Sequence, residues 1–171
     1  TNTNNGTMYN GVGVSFDGSN DSITIGALDD PPRYAGTIMC WVKPNHIGSS
    51  PVVGTFLDSN GGWFTLQRVA STVNMVAGNP AVGVNQGTLS TSAWFFVCGT
   101  YDTRDSNGAL RVYVNGASAG SAYTSVIKKI EGNNFIIARG SSYGGKMTDM
   151  RVYKVALSAT DILEIYKNPT T

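Results

Sequence analysis

Glutamate occurs only twice in this 171-residue chain, at Glu131 and Glu164, and histidine once, at His46. Retaining glycoside hydrolysis needs two carboxylates about 5 Å apart. No predicted strand carries an alternating acidic pair to supply them. Two cysteines and one histidine cannot build a structural zinc site from those residue types alone. His46 follows a proline in "KPNHIG" and has no visible partner for proton transfer. No nucleophile elbow or phosphate loop is present. These absences speak against an enzyme.

Charge is also scarce. Charged residues make up 13% of the chain and the formal net charge is +1, so no field steers it toward nucleic acid or acidic lipid. No apolar run approaches the ~20 residues of a membrane-spanning helix, so membrane insertion is not expected. Gly, Ser, Thr and Asn fill the polar positions, a mixture suited to short strands and turns. The opening Thr1-Asn2-Thr3-Asn4-Asn5 is neither a signal peptide nor an initiator Met. It reads as the start of a mature or excised piece, with a flexible arm over residues 1–8.

What is present has a period of two. In "ALRVYVNG", Leu110, Val112 and Val114 alternate with Arg111 and Tyr113, and Asn115-Gly116 supplies the positive φ angles of a tight hairpin. With "WFFVCGTYD" upstream, residues 94–123 read as a three-stranded meander. Further strands are predicted at 11–17, 21–26, 36–43, 52–57, 62–68, 72–77, 134–139 and 146–154. Turn signals separate them, such as Gly61-Gly62 and Gly144-Gly145. This pattern predicts one all-β antiparallel sandwich spanning 1–171. One helix stands out in "LSATDILEIYKNP". Ser158 and Asp161 form a capping box, Leu157 and Ile162 a hydrophobic staple, and Asn168-Pro169 the stop. At about two turns it must dock on the sandwich. Cys40 and Cys98 both fall inside predicted strands, as buried free thiols or, alternatively, as a bridge between strands.

The segments "NNGTMYNG", "SFDGSNDSITI", "TIMCWVKP", "WFFVCGTYD", "LRVYVNG" and "GKMTDMRVYKVALSATDILEIY" occur in an order that resembles a laminin G-like domain of the concanavalin A-like lectin/glucanase group. The last segment is similar to the family's closing strand and helix, Gly-x-Ile-Asp-Asp-Val-Arg-Ile-Tyr-Asn-x-Ala-Leu-Ser. The resemblance runs from about Asn5 to Tyr166. It implies a jelly-roll sandwich of two curved antiparallel sheets with one short C-terminal helix. It also implies a non-catalytic recognition module of an extracellular, cell-surface or phage virion protein, with a glycan or a protein receptor as partner. A structural or assembly domain of a virion or surface fibre, as a homo-oligomer or attached to a larger assembly, is the alternative; a carbohydrate-active enzyme is a third reading.

Site residues follow from two chemistries. Sugar binding uses aromatic faces beside small polar groups. The candidates are Tyr143 in "GSSYGG", Trp63 after Gly61-Gly62, Tyr34 after Pro31-Pro32, and Tyr123; Trp41 and Trp94 are assigned to packing. The other chemistry is calcium. Asp17, Ser19 and Asp21 have the spacing that opens a calcium loop, but Ser22 and Leu28 stand where an EF-hand needs Gly and Glu. Asp17-Gly18 is also an ordinary turn. Enzymes of the fold group often hold calcium with an acid three residues before the Arg of the closing Arg-x-Tyr. Here that position is Thr148, and the acid is its neighbour Asp149. Asp17, Asp21 and Asp149 are therefore the candidate ligands of a calcium ion, and the expected outcome is a turn.

Overall fold

The computed structural model describes residues 7–9, 13–27, 32–45, 52–57, 63–69, 71–77, 82–91, 93–104, 109–123, 134–138 and 143–169. The elements are β1 (Thr7–Tyr9), β2 (Gly13–Asp17), β3 (Ile23–Ala27), β4 (Ala35–Pro44), β5 (Val52–Leu57), β6 (Trp63–Val69), β7 (Thr72–Ala77), β8 (Val82–Gln86), β9 (Phe95–Asp102), β10 (Ala109–Val114), β11 (Ala117–Tyr123), β12 (Asn134–Ile137), β13 (Gly144–Tyr153) and α1 (Ala159–Lys167). They form a seven-stranded sheet, β1-β2-β13-β4-β9-β10-β11, and a six-stranded sheet, β3-β12-β5-β6-β7-β8. All pairings are antiparallel, for example Met147 opposite both Val14 and Val42 in the closing strand. The result is a two-sheet jelly-roll sandwich with one C-terminal helix.

Alternation decides which residues meet between the sheets. Ile38, Cys40 and Val42 of β4, Val97 and Tyr101 of β9, and Leu110 and Val112 of β10 face Phe64, Leu66, Val73, Met75 and Phe135 of the other sheet in one buried core. The packing is close enough that a Cβ on Gly99 would collide with the Met75 sulfur. Tyr101 spends its polar end locally, donating its hydroxyl to the Pro32 carbonyl.

The intervening residues of the same strands build a second cluster on the opposite face of the seven-stranded sheet. Met39, Phe96, Cys98 and Tyr113 are buried there against Ile162 of α1, with Trp41, Leu157, Ile165 and Tyr166 packed around them. Tyr166 stacks on Trp41 at 5.6 Å between ring centroids and 25° between planes. Its ring also lies over the β10–β11 hairpin, where Gly116 at φ 76° leaves no space for a Cβ. Helix entry is fixed twice. Ser158 Oγ accepts from Asp161 N–H at 3.2 Å while Asp161 Oδ2 accepts from Ser158 N–H at 3.1 Å. Thr37, buried in β4, donates to the Val155 carbonyl at 2.7 Å and accepts from Leu157 N–H at 3.0 Å. The Ser158 bonds hold the Asp161 carboxyl below its ordinary range.

The closing strand changes parity once. Thr148 lies opposite Trp41, whereas Arg151 lies opposite Met39, so β13 carries one more residue than β4 between these pairs. That bulge holds Asp149 at φ 53°, a left-handed conformation that Asp tolerates better than most residues. It returns Met150 and Val152 to the core beside Met147.

The structure shortens one predicted segment, adds one strand and decides between the two alternatives for the cysteines. Thr7 and Met8 are paired with Ser15 and Val14 in β1, so the arm expected over residues 1–8 reaches into a strand; residues 1–6 lie outside the described residues. β8, which has glycine, Asn and Gln in place of a clear apolar alternation, exists through its five-residue pairing with β7. Cys40 and Cys98 belong to clusters on opposite faces of one sheet, so they are free thiols and not a bridge.

Two predictions follow from the packing. Ser158→Ala is expected to cost about 1 kcal/mol through the lost cap. Ile162→Ala is expected to cost about 2–4 kcal/mol through the cavity under the helix, read from denaturant midpoints. The second concerns alkaline pH. Burial pushes the Cys40 and Cys98 thiols and the Tyr101 hydroxyl well above their ordinary values. The folded chain therefore retains protons that the unfolded chain releases. Stability from these groups is complete below the ordinary thiol value of about 8.5 and drains as pH rises past it, by about 1.4 kcal/mol per pH unit for each titrating group. Chemical denaturation at a series of alkaline pH values should show this decline. Cys40→Ala/Cys98→Ala should lack its thiol component.

Candidate functional site

The outer face of the seven-stranded sheet is occupied along β4, β9 and β10 by the helix and its cluster. The outer face of the six-stranded sheet has a different composition. On β6, Phe64 and Leu66 point into the core, which places Thr65 and Gln67 on the far side; on β7, Val73 and Met75 point in, leaving Asn74 and Val76 outside. Register then aligns them. Gln67 lies opposite Asn74, and Asn74 opposite Asn85 of β8, giving a row of amide residues across three strands. The adjacent row runs Ile136, Thr55, Thr65, Val76.

The first of these rows is half-buried at Gln67 and Asn74, and the second at Ile136 and Val76. Thr55 and Thr65 are buried and share a hydroxyl–hydroxyl hydrogen bond of 2.5 Å. The Asn74 side-chain oxygen is shielded from solvent and has no hydrogen-bond partner. An amide oxygen in that condition costs about 1–3 kcal/mol. The Thr55 and Thr65 hydroxyls are spent on each other, so what the face offers chemically is the half-buried amides of Gln67 and Asn74 beside the aliphatic Val76 and Ile136. The amides both donate and accept, as a sugar hydroxyl does. The signal was present in "FTLQ" and "VNMV" as polar residues at alternate positions. The row they form depends on register, which sequence does not display.

The residues singled out from sequence fall elsewhere. Tyr143 is a core residue, 2% exposed, packed edge-on against Phe16 at 5.7 Å with its hydroxyl donating to the Lys146 carbonyl. Its flanking glycines serve close approach: a Cβ on Gly145, at φ 138°, would collide with the Lys43 carbonyl. The expectation of an exposed, sugar-facing Tyr143 is therefore corrected. Tyr34 is 50% exposed; its carbonyl accepts from Thr103 N–H and Oγ1 at 2.8 and 2.9 Å at the end of β4, away from the amide row. Trp63 opens β6 opposite Leu57, two positions before Thr65. The side chains of Trp63 and Tyr123, and all of His46 and Glu131, lie outside the described residues. Trp41 packs under the helix as assigned, and Trp94 is half-buried just before β9.

The calcium candidates do not converge. Asp17 lies opposite Gly144, at the start of β13, five residues from Asp149 and so roughly 15 Å along the strand. Asp17 accepts from Ser19 N–H at 2.7 Å and Asp21 accepts from Asp17 N–H at 3.0 Å, which is a turn closed by its own acids. Asp149 is held by the guanidinium of Arg151 in two bonds of 2.6 Å, which push the Arg151 pKa up. Among the described residues no three His, Cys, Asp or Glu side chains are grouped to hold a metal. The donor set does not fit calcium at Asp17, Asp21 and Asp149.

The same locality governs the other described acids. Asp102 pairs with Arg104, Asp161 with Ser158 and Glu164 with Asn168. Each described carboxylate is engaged within four residues of itself. Among the described residues no helix is long and apolar enough to cross a membrane.

Solved structures share this architecture. A heptameric SAP-like pentraxin from Limulus polyphemus superposes with a TM-score of 0.68 at 18% identity, over 91% of this chain and 81% of its own. The CBM40 of the Ruminococcus gnavus IT-sialidase, bound to α2,3-sialyllactose, does so with 0.70 at 16% identity, over 91% and 96%. The binding domain of botulinum neurotoxin serotype D gives 0.75 at 14% identity, over 94% of this chain and 44% of that domain. At such identities the likeness establishes the fold. No curated protein sequence matches the chain. A family model does, over residues 17–163, and with the two sheets and closing helix in place, the chain belongs to the laminin G-like branch of the concanavalin A-like lectin/glucanases superfamily.

Proposed function

We propose that this domain is a non-catalytic glycan-recognition module of an extracellular, cell-surface or virion protein, and that its ligand lies across the outer face of the six-stranded sheet. The observation that carries this reading is the orphaned side-chain oxygen of Asn74, set in a row with Gln67 and Asn85. The terminal torsion of an Asn side chain is broad, so a small rotation turns this oxygen toward a ligand hydroxyl. Val76 and Ile136 supply the apolar contact for the C–H face of a sugar ring. Trp63 shares the strand parity of Thr65 and Gln67 and is the aromatic this reading enlists. The sugar and receptor ligands named for the structural neighbours, including sialyllactose for the CBM40 and gangliosides for botulinum neurotoxin type C, support a binding role. The local engagement of every described acid supports a role without catalysis.

A glycan microarray followed by calorimetry tests the proposal. Asn74→Ala and Gln67→Ala should each weaken binding about tenfold, the worth of a lost hydrogen bond with a little desolvation. Trp63→Ala should weaken it at least as much. Tyr34→Ala should leave affinity unchanged. Binding indifferent to Asn74→Ala and Gln67→Ala, with the melting temperature preserved, would place the ligand elsewhere.

A further inference from the structure

The two sheets differ in charge. The strands of the six-stranded sheet hold a single charged residue, Arg68. Those of the other sheet hold Asp17, Lys43, Asp102, Arg111, Lys146, Asp149 and Arg151. In register Arg68 lies opposite the core residue Val73, and its side chain lies outside the described residues. The described residues of the outer face are thus hydroxyls, amides and aliphatics.

A sialic acid, uronic acid or sulfated sugar brings an anion that must be paired as it leaves water. Proteins meet it with a guanidinium, an ammonium, a bridging metal or several converging backbone N–H donors. This face has neither cation nor metal-binding acids among its described residues. A neutral sugar asks for less. Its hydroxyls both donate and accept, and the amides of Gln67 and Asn74 can answer either role. The Asn74 oxygen needs only a neutral O–H or N–H donor. Resting on the binding reading above, we infer that the six-stranded face selects an electrically neutral glycan segment and holds it without any ion pair. A binding equilibrium of that kind has two signatures. It is insensitive to salt, because no charge is screened on association. It is also flat in pH between the carboxylate and thiol ranges, because no described side chain of the face is of a type that titrates there.

The experiment uses named probes: maltohexaose, cellohexaose, chitohexaose and mannohexaose as neutral chains, and 3′-sialyllactose, a tetragalacturonate and a heparin hexasaccharide as anions. Affinities are measured by calorimetry at about 20 mM and about 500 mM NaCl, where screening differs severalfold. At least one neutral probe should bind with less than about a twofold change across that range, and should lose about tenfold in Asn74→Ala. The anions should neither bind nor compete. Gln67→Ala gives a second reading if Asn74→Ala lowers the melting temperature. An anionic probe that binds through this face, weakened by Asn74→Ala or Gln67→Ala and by salt, overturns the neutral selectivity and leaves the binding reading standing. No binding by any probe, or binding that neither variant weakens, overturns the binding reading and this inference with it.

Discussion

A sheet has two faces, and among the described residues there is one helix, α1, to cover one of them. The central strands of the seven-stranded sheet are apolar on both sides: Ile38, Cys40 and Val42 alternate with Met39 and Trp41 along β4, and Phe96 and Cys98 alternate with Val97 along β9. Such strands are stable only between two layers. The second sheet supplies one layer and α1 the other. The capping box at Ser158, the two bonds at Thr37 and the ring stack of Tyr166 on Trp41 all serve to seat nine residues of helix on that outer surface. With the helix committed there, the described outer face of the other sheet is a mixture of Thr, Asn and Gln with Val76 and Ile136.

This division of labour explains where polar residues are placed and how they are satisfied. In the seven-stranded sheet, Asp102 at the end of β9 closes on Arg104 and Asp149 at the bulge of β13 closes on Arg151. Those pairs rigidify turns and leave little capacity for a ligand. In the six-stranded sheet, neutral polar groups lie mid-strand across several strands, and the Asn74 amide oxygen is left unsatisfied, as the Thr100 hydroxyl is on β9 of the other sheet. Native structures rarely bury an amide oxygen without a partner, and such an atom points to an interaction made in another state.

Much of the fold was legible because local signals agreed with one another. Alternation in "ALRVYVNG", the Asn115-Gly116 turn with φ values of 50° and 76°, and the Ser158/Asp161 box each specify their element without help from distant residues. β8 was missed because its pairing with β7 outweighs the turn-like composition of Val82–Gln86. The site was less legible. Glycines beside Tyr143 read as an exposed loop, but there they let backbones approach while the ring fills the core against Phe16. Asp149 reads as an available ligand, but its place is the extra residue that corrects the parity of β13. Gln67 and Asn74 look unremarkable singly, and only register makes them neighbours.

The two thiols also mark two different depths of the molecule. Cys98 is sealed by the helix and Cys40 by the opposing sheet. An opening that lifts α1 alone uncovers one sulfur and leaves the other protected, whereas separation of the sheets uncovers both. Pulse labelling with an alkylating reagent, resolved by peptide mass, would therefore distinguish peeling of the helix from rupture of the sandwich within a single chain, with no engineered reporter. Because no covalent bridge joins the layers, that readout is the same in oxidising and reducing surroundings.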